Sequence, residues 1–142
     1  MEKSERLTPF LILQSFIILG LLAFIFFLPG KWNAYRWAAA IIALPSTFCF
    51  LMARYELGRS FSITAQAREL VTTGIYSKIR NPIYVFAELI VISFFLVLQR
   101  PVLLLIPVAM IPIQIIRAHK EAKVLEAKFG DAYRNYRRRT WF

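Results

Sequence analysis

Glu88 lies inside an otherwise apolar run, residues 82–99, almost two helical turns beyond its start. An unpaired acid in such a place is costly, so it must face either a polar cavity or a partner on another helix. A second group stands at the entrance to the same run: Tyr76, Arg80, Asn81, Pro82 and Tyr84. Arg80 and the two tyrosines suit a membrane-edge anchor or a site that orients an anionic group. A third group leaves the next apolar run, where Arg117 and Glu121 share a helix face at i,i+4 and His119 falls off that face. Such groups hold ions, orient polar substrates and accept protons. No metal is expected among them, although the count of ligands leaves a carboxylate-bound Mg²⁺ open. One cysteine, Cys49, and one histidine, His119, cannot supply a conventional zinc site, and a lone cysteine forms no internal disulfide. The glycine-rich, Walker, HExxH, GxSxG and CxxC patterns are all missing.

The elements that position these residues follow from composition. The chain has 142 residues, 58% of them hydrophobic, with a net charge of +10. An ordinary soluble domain is roughly 45–50% apolar, so a small integral membrane protein of one domain, residues 1–142, is expected. Four apolar runs, about 7–28, 37–53, 82–99 and 101–116, are long enough or nearly so for membrane helices. Pro45, Pro107 and Pro112 lie within them, and only Gln99 and Arg100 separate the last two, which predicts a tight helical hairpin. Fifteen of the eighteen Lys+Arg fall on the N-terminus, the second loop and the tail, against three on the other side. The positive-inside rule then places both termini in the cytoplasm. The fold class is all-α: a polytopic membrane protein with four transmembrane helices and a cytoplasmic amphipathic C-terminal helix.

Within the second loop Gly74 permits a turn with positive φ, and Pro82 suits the first turn of the third helix with Asn81 as its cap. In the tail, Leu125, Phe129, Tyr133 and Tyr136 recur at helical spacing; Gly130 breaks the pattern and Asp131 is placed to cap a second short helix. This tail reads either as an amphipathic helix on anionic lipid headgroups or as a lid over a site between the helices. Its interleaved acids and aromatics argue against a phosphate track, so no nucleic-acid partner is expected.

The stretch Leu70-Val71-Thr72-Thr73-Gly74-Ile75-Tyr76-Ser77-Lys78-Ile79-Arg80-Asn81-Pro82-Ile83-Tyr84, preceded by Leu57-Gly58-Arg59-Ser60-Phe61, resembles the isoprenylcysteine carboxyl methyltransferase family, which is related to membrane phospholipid methyltransferases. The family pattern is roughly L-x-T-x-G-x-Y-x-x-x-R-[HN]-P-x-Y at the entrance to a membrane helix. The tail supplies its partner block in Glu121, Leu125, Phe129-Gly130, Tyr133 and Tyr136. A two-helix hairpin separates the blocks, as in the family, and together they cover about residues 57–139. Two positions depart from the pattern: Asn81 where many members have histidine, and Ala122 where many have a second acid. Asparagine keeps a positioning role but gains no proton near neutrality.

The resemblance implies an integral membrane methyltransferase using S-adenosyl-L-methionine (SAM) and no metal. The cofactor would lie in a cytoplasm-facing cavity, and the lipophilic substrate would come from the bilayer. The expected catalytic residues are Arg80, Asn81, Tyr84 and Glu88, and the expected cofactor-binding ones Gly74, Tyr76, Arg117, Glu121, Phe129 and Tyr133; Glu88 and Arg117 lie outside the family-like blocks and come from burial in an apolar run and from helical spacing. The leading expectation is an isoprenylcysteine carboxyl O-methyltransferase-like activity. The alternatives are a phospholipid N-methyltransferase and a non-catalytic membrane protein that retains the fold. A carboxylate acceptor needs no base, whereas an amine must lose a proton, for which Glu88 or Glu121 would serve.

Overall fold

The computed structural model describes residues 2–58 and 70–142, with side chains described from residue 12 onward. Arg59, Ser60 and Phe61 of the family-like stretch, and Arg68, lie outside the described residues. The elements run α1 (Glu2–Phe27), α2 (Ala34–Leu57), a 3-10 turn (Gly74–Ser77), α3 (Pro82–Val97), a second 3-10 turn (Pro101–Leu104), α4 (Leu105–Phe129) and α5 (Asp131–Arg139). The described elements are therefore all helical. Two of the apolar helices, Ala34–Leu57 and Pro101–Phe129, are long and apolar enough to span a bilayer, and two shorter ones, Ile12–Phe27 and Pro82–Val97, accompany them. This is an all-α membrane protein. Large apolar side chains face outward along α1, α2 and α4, among them Phe16, Phe48, Leu105 and Ile113, as lipid contact requires.

The α1–α2 corner is held by one buried arginine. Arg36 donates from Nε to the Ile25 carbonyl (2.9 Å) and from its terminal nitrogens to Phe26 (2.7 Å) and Gly30 (3.2 Å). A cation at a helix C-terminus satisfies carbonyls that have no intrahelical partner and complements the dipole. Its guanidinium also lies 4.7 Å from the Trp32 ring. Asn33 caps α2 by accepting from the Arg36 backbone N–H at 3.1 Å.

The centre of the bundle is the antiparallel α2–α3 pair. Ala39, Ala40 and Ala43 of α2 are buried against Ile25 and Val97, and Phe50 against Ile18 and Ile90. Small residues let helix backbones approach closely, which is how membrane helices gain packing energy. Arg54, near the end of α2, donates from Nε to the Gln14 side-chain oxygen at 2.9 Å and so ties α1 to the pair.

The hairpin forms where expected. Gln99 reverses the chain at φ +54, and Pro101 opens the following turn. In its second arm the helix runs beyond the expected apolar span: α4 continues to Phe129, about 37 Å at 1.5 Å per residue. The apolar run and the first part of the tail are one helix, because Ala118, Ala122 and Ala127 and the charged residues between them are all strong helix formers. Gly130, at φ +51, ends it. Asp131 is not the cap of α5; it is the first helical residue and bonds Arg134 at 2.8 Å instead.

Candidate functional site

Chemistry-bearing side chains collect where α2 ends, α3 begins, and the lower half of α4 passes them. The Gly74–Ser77 turn is the first part. Gly74 has φ +58, and a Cβ there would stand 1.8 Å from Glu56 Oε1. Glycine is thus required twice, by backbone conformation and by close approach. Glu56 Oε2 accepts the Ile75 N–H at 2.9 Å. The turn presents Tyr76, which is buried, and the Tyr76 carbonyl accepts the Tyr136 hydroxyl at 2.8 Å.

The tail closes over this turn. Trp141 N–H donates to the Lys78 carbonyl (2.7 Å), Arg80 N–H to the Trp141 carbonyl (2.9 Å), and Asn81 N–H to the Phe142 carbonyl (2.9 Å), a short parallel pairing centred on Ile79 and Trp141. Asn81 therefore acts through its backbone. The expected side-chain cap on α3 is not made, because Asn81 takes φ −121, ψ 56 to meet the tail. Arg134 braces the α4–α5 corner with bonds to Glu126 (2.9 Å) and Asp131 (2.8 Å).

Burial, and then Tyr136, push the Tyr76 phenol far above its ordinary range; Arg54 opposes this, and Glu56 and Glu121 add to it. Burial raises Tyr136 to about 12, with Tyr133 adding and Arg80 opposing. Tyr133 is raised by burial as well, against the pull of Arg80 and Arg137. All three phenols stay protonated at neutral pH, and Tyr136 donates to the Tyr76 carbonyl.

The second part is the α3–α4 seam. Tyr84 donates its hydroxyl to Glu121 Oε1 at 2.5 Å, across 37 residues. One turn deeper along α3, Gln114 of α4 donates to Glu88 Oε2. Glu88 is only 8% exposed, and its other oxygen, Oε1, has no partner among the described residues. Tyr84 and Glu88 are i,i+4 on α3 and Gln114 and Glu121 are i,i+7 on α4, so each helix offers a single polar stripe. Arg117 lies on the same stretch of α4 and acts electrostatically on the Tyr84 phenol.

Several sequence-predicted residues thus converge. Tyr84, Glu88, Arg117 and Glu121 share the seam, and Arg80 acts on Tyr133 and Tyr136 beside the turn that Gly74 and Tyr76 form. Of Arg117 and Glu121, which the sequence offers to a cofactor's polar groups, Glu121 accepts the Tyr84 hydroxyl. Phe129 stands apart at the far end of α4, under the Lys128 ammonium at 5.5 Å. His119 bonds the Ile115 carbonyl at 2.8 Å on an exposed face. Sequence reasoning missed Glu56 and Gln114. The available clues were an acid following Arg54 at the end of an apolar run, and a lone amide inside another.

A family model described as phospholipid methyltransferase matches residues 34–132, from the start of α2 into α5. Searches of curated proteins and of solved structures return no match. The matched stretch contains the turn, the seam and most of the bundle. It supports the broader of the two kinships expected from the sequence and not the isoprenylcysteine carboxyl methyltransferase branch in particular.

Proposed function

Because this chain belongs to the phospholipid methyltransferase family, whose members are SAM-dependent enzymes acting at membranes, we propose that it N-methylates the amine of a lipophilic substrate at the cytoplasmic leaflet. The observation that carries this reading is the pair of carboxylates, Glu88 and Glu121, on one interhelical seam. An amine acceptor enters as an ammonium and must lose a proton before it can attack, and carboxylates attract the one and take the other. A carboxylate acceptor would meet like charge there. The isoprenylcysteine carboxyl reading thus becomes the second one, supported by the two family-like sequence blocks and by Arg80 and Arg117, which suit an anionic group. The expected alternative of a non-catalytic relative gives way to an enzyme.

The donor set fits SAM, which supplies an electrophilic methyl group when bound. Glu121, held by Tyr84, would receive the cofactor's hydroxyl or ammonium groups. Arg117 would receive its carboxylate. Tyr76 and Tyr133 would wall the pocket, on a turn that Gly74 allows to run close to α2. Arg80 and the Asn81 backbone would hold the tail segment over that wall, with Arg80 free to orient an anionic group on the acceptor. Phe129 would pack against an adenine ring. Alignment of donor and acceptor is the main catalytic task, since a thioether leaves without protonation.

The reading includes four membrane crossings with both termini cytoplasmic, supported by the distribution of basic residues. Helix α3, with 16 residues, is short for a span and would rely on tilt of its neighbours or local thinning. Exposed Arg137, Arg138 and Arg139 at the end of α5 would lie against anionic headgroups.

The test is SAM affinity and single-turnover methyl transfer by the purified protein, using phosphatidylethanolamine, prenylated thiols and fatty carboxylates as acceptors. Methylated ethanolamine lipid is expected. Exclusive methylation of a prenylcysteine carboxyl would replace this reading by the second. Arg80→Ala should slow transfer more than it weakens SAM binding, and Arg80→Lys should not restore it if a planar bidentate donor is needed.

A further inference from the structure

The unpartnered oxygen of Glu88 bears on what occupies the seam. The side chain is more than nine-tenths buried, and one of its oxygens is satisfied by Gln114 while the other is not. An open carboxylate oxygen in an apolar setting is expensive and calls for a donor. Among the described residues none supplies it. Tyr84, one turn away on the same face, donates to Glu121 instead. Ser93 donates to its own helix, to the Leu89 and Ile90 carbonyls at 2.9 and 2.8 Å. Arg117, between Gln114 and Glu121 on α4, is exposed. The seam also differs from the tightly packed α2–α3 pair, since most of α4 faces outward. A molecule from the bilayer can therefore reach it by parting two loosely packed helices.

We propose that Glu88 Oε1 is the seat of the acceptor's ammonium group, and that it restricts the enzyme to amines that still carry an N–H. Gln114 fixes the carboxylate by occupying Oε2, which leaves Oε1 to take a donor from the substrate. A primary, secondary or tertiary ammonium has one N–H or more to donate to it. A quaternary trimethylammonium has none, and it leaves a desolvated charge pair without a hydrogen bond. The site thus retains each partly methylated product and rejects the fully methylated one.

The reaction balances in these terms. The ammonium gives one proton to Glu88 Oε1 and becomes a neutral amine. The amine uses its freed lone pair for the new N–C bond to the methyl of SAM, while the C–S bond breaks and its pair leaves with the neutral thioether. The sulfonium's positive charge is now on the methylated ammonium. The proton on Glu88 then passes to water at the cytoplasmic mouth of the seam, where Tyr84 and Glu121 stand, before the next turnover.

This inference rests on the amine reading but is tested separately from it. The intact protein, loaded with S-adenosylhomocysteine in phosphatidylcholine nanodiscs, is titrated with a primary alkylamine and with the corresponding alkyltrimethylammonium. The wild type should prefer the primary amine by roughly ten- to hundredfold, the worth of a hydrogen bond to a charged group. Glu88→Gln should abolish the preference while leaving S-adenosylhomocysteine affinity within about twofold, and Glu88→Asp should retain part of it. Equal binding of the two amphiphiles by the wild type overturns the proposal, whatever the variants do. A preference that survives in Glu88→Gln overturns it as well and leaves Glu88 as a helix–helix contact. A preference that Glu88→Gln abolishes, in a protein that methylates no amine, supports the seat and sinks the N-methylation reading alone.

Discussion

The two faces of α3 are built on opposite principles. Toward α2 it meets Ala39, Ala40, Ala43 and Phe50, against which Val97 and Ile90 are buried. Toward α4 it meets few side chains, and the described bonds there are between polar groups, Tyr84 with Glu121 and Glu88 with Gln114. Packing of small residues lets a membrane helix pair approach closely, without relying on polar bonds between the helices. Polar contacts between helices are specific but individually modest, about 1 kcal/mol in membranes. The first face is therefore suited to be a scaffold and the second to open. An enzyme that draws a substrate from the bilayer and a cofactor from water needs one of each.

That contrast can be broken at several points. The largest effect is expected at the seam's outer bond. Glu121→Gln should weaken SAM binding ten- to hundredfold, about 1.5–3 kcal/mol, because the amide no longer offers a charge to the cofactor. Calorimetry on protein with an unchanged unfolding midpoint would show it; an unchanged affinity would leave Glu121 as a surface group. On the scaffold face, Ala43→Leu should cost about 1–3 kcal/mol of stability by overpacking. Its kcat per folded molecule should stay near wild type. A loss of kcat without a loss of stability would mean that the two faces are not separable.

Glu56→Ala should be smaller in stability, about 1 kcal/mol, but visible in KM for SAM, because the Gly74–Ser77 turn loses the acceptor that holds the Ile75 N–H. Glu56→Gln keeps an acceptor oxygen and should restore most of it. Failure of glutamine to rescue would show that the charge beside Tyr76 matters more than the bond.

The smallest effect concerns alkaline pH. The folded chain holds the Tyr136 proton up to about 12, against an ordinary value of 10.0. An unfolded chain ionises first, so stability should be level below about pH 10 and decline as pH rises from there toward 12. Tyr136→Phe should lessen that decline, leaving the share of Tyr76 and Tyr133, at a cost of about 0.5–1.5 kcal/mol at neutral pH for the lost bond to the Tyr76 carbonyl. Unfolding midpoints measured across this range check both parts.

Local features were readable from residue order. Apolar runs and their lengths gave the helices, Pro82 marked the start of α3, Gly74 marked a turn with positive φ, Gly130 marked a break in the tail, and Gln99-Arg100 marked the hairpin. Each depends on a side chain and its immediate neighbours, where steric and hydrogen-bonding rules act over a few residues. Even the polar stripes of α3 and α4 follow from helical spacing once the helices are granted.

What each polar group bonds to was decided by packing. Glu56 meets Ile75 across 19 residues, Gln114 meets Glu88 across 26, Glu121 meets Tyr84 across 37, and Tyr136 meets Tyr76 across 60. A hydrogen bond tolerates only a few tenths of an ångström, so such partners depend on the rotation and depth of whole helices. The same reason explains the correction at Asn81. Asn81 could cap α3 by its type, but the returning tail claims its backbone. Arg117 and Glu121 share a helix face by spacing alone, whereas only the packing of α3 on α4 brings Tyr84 to that carboxylate.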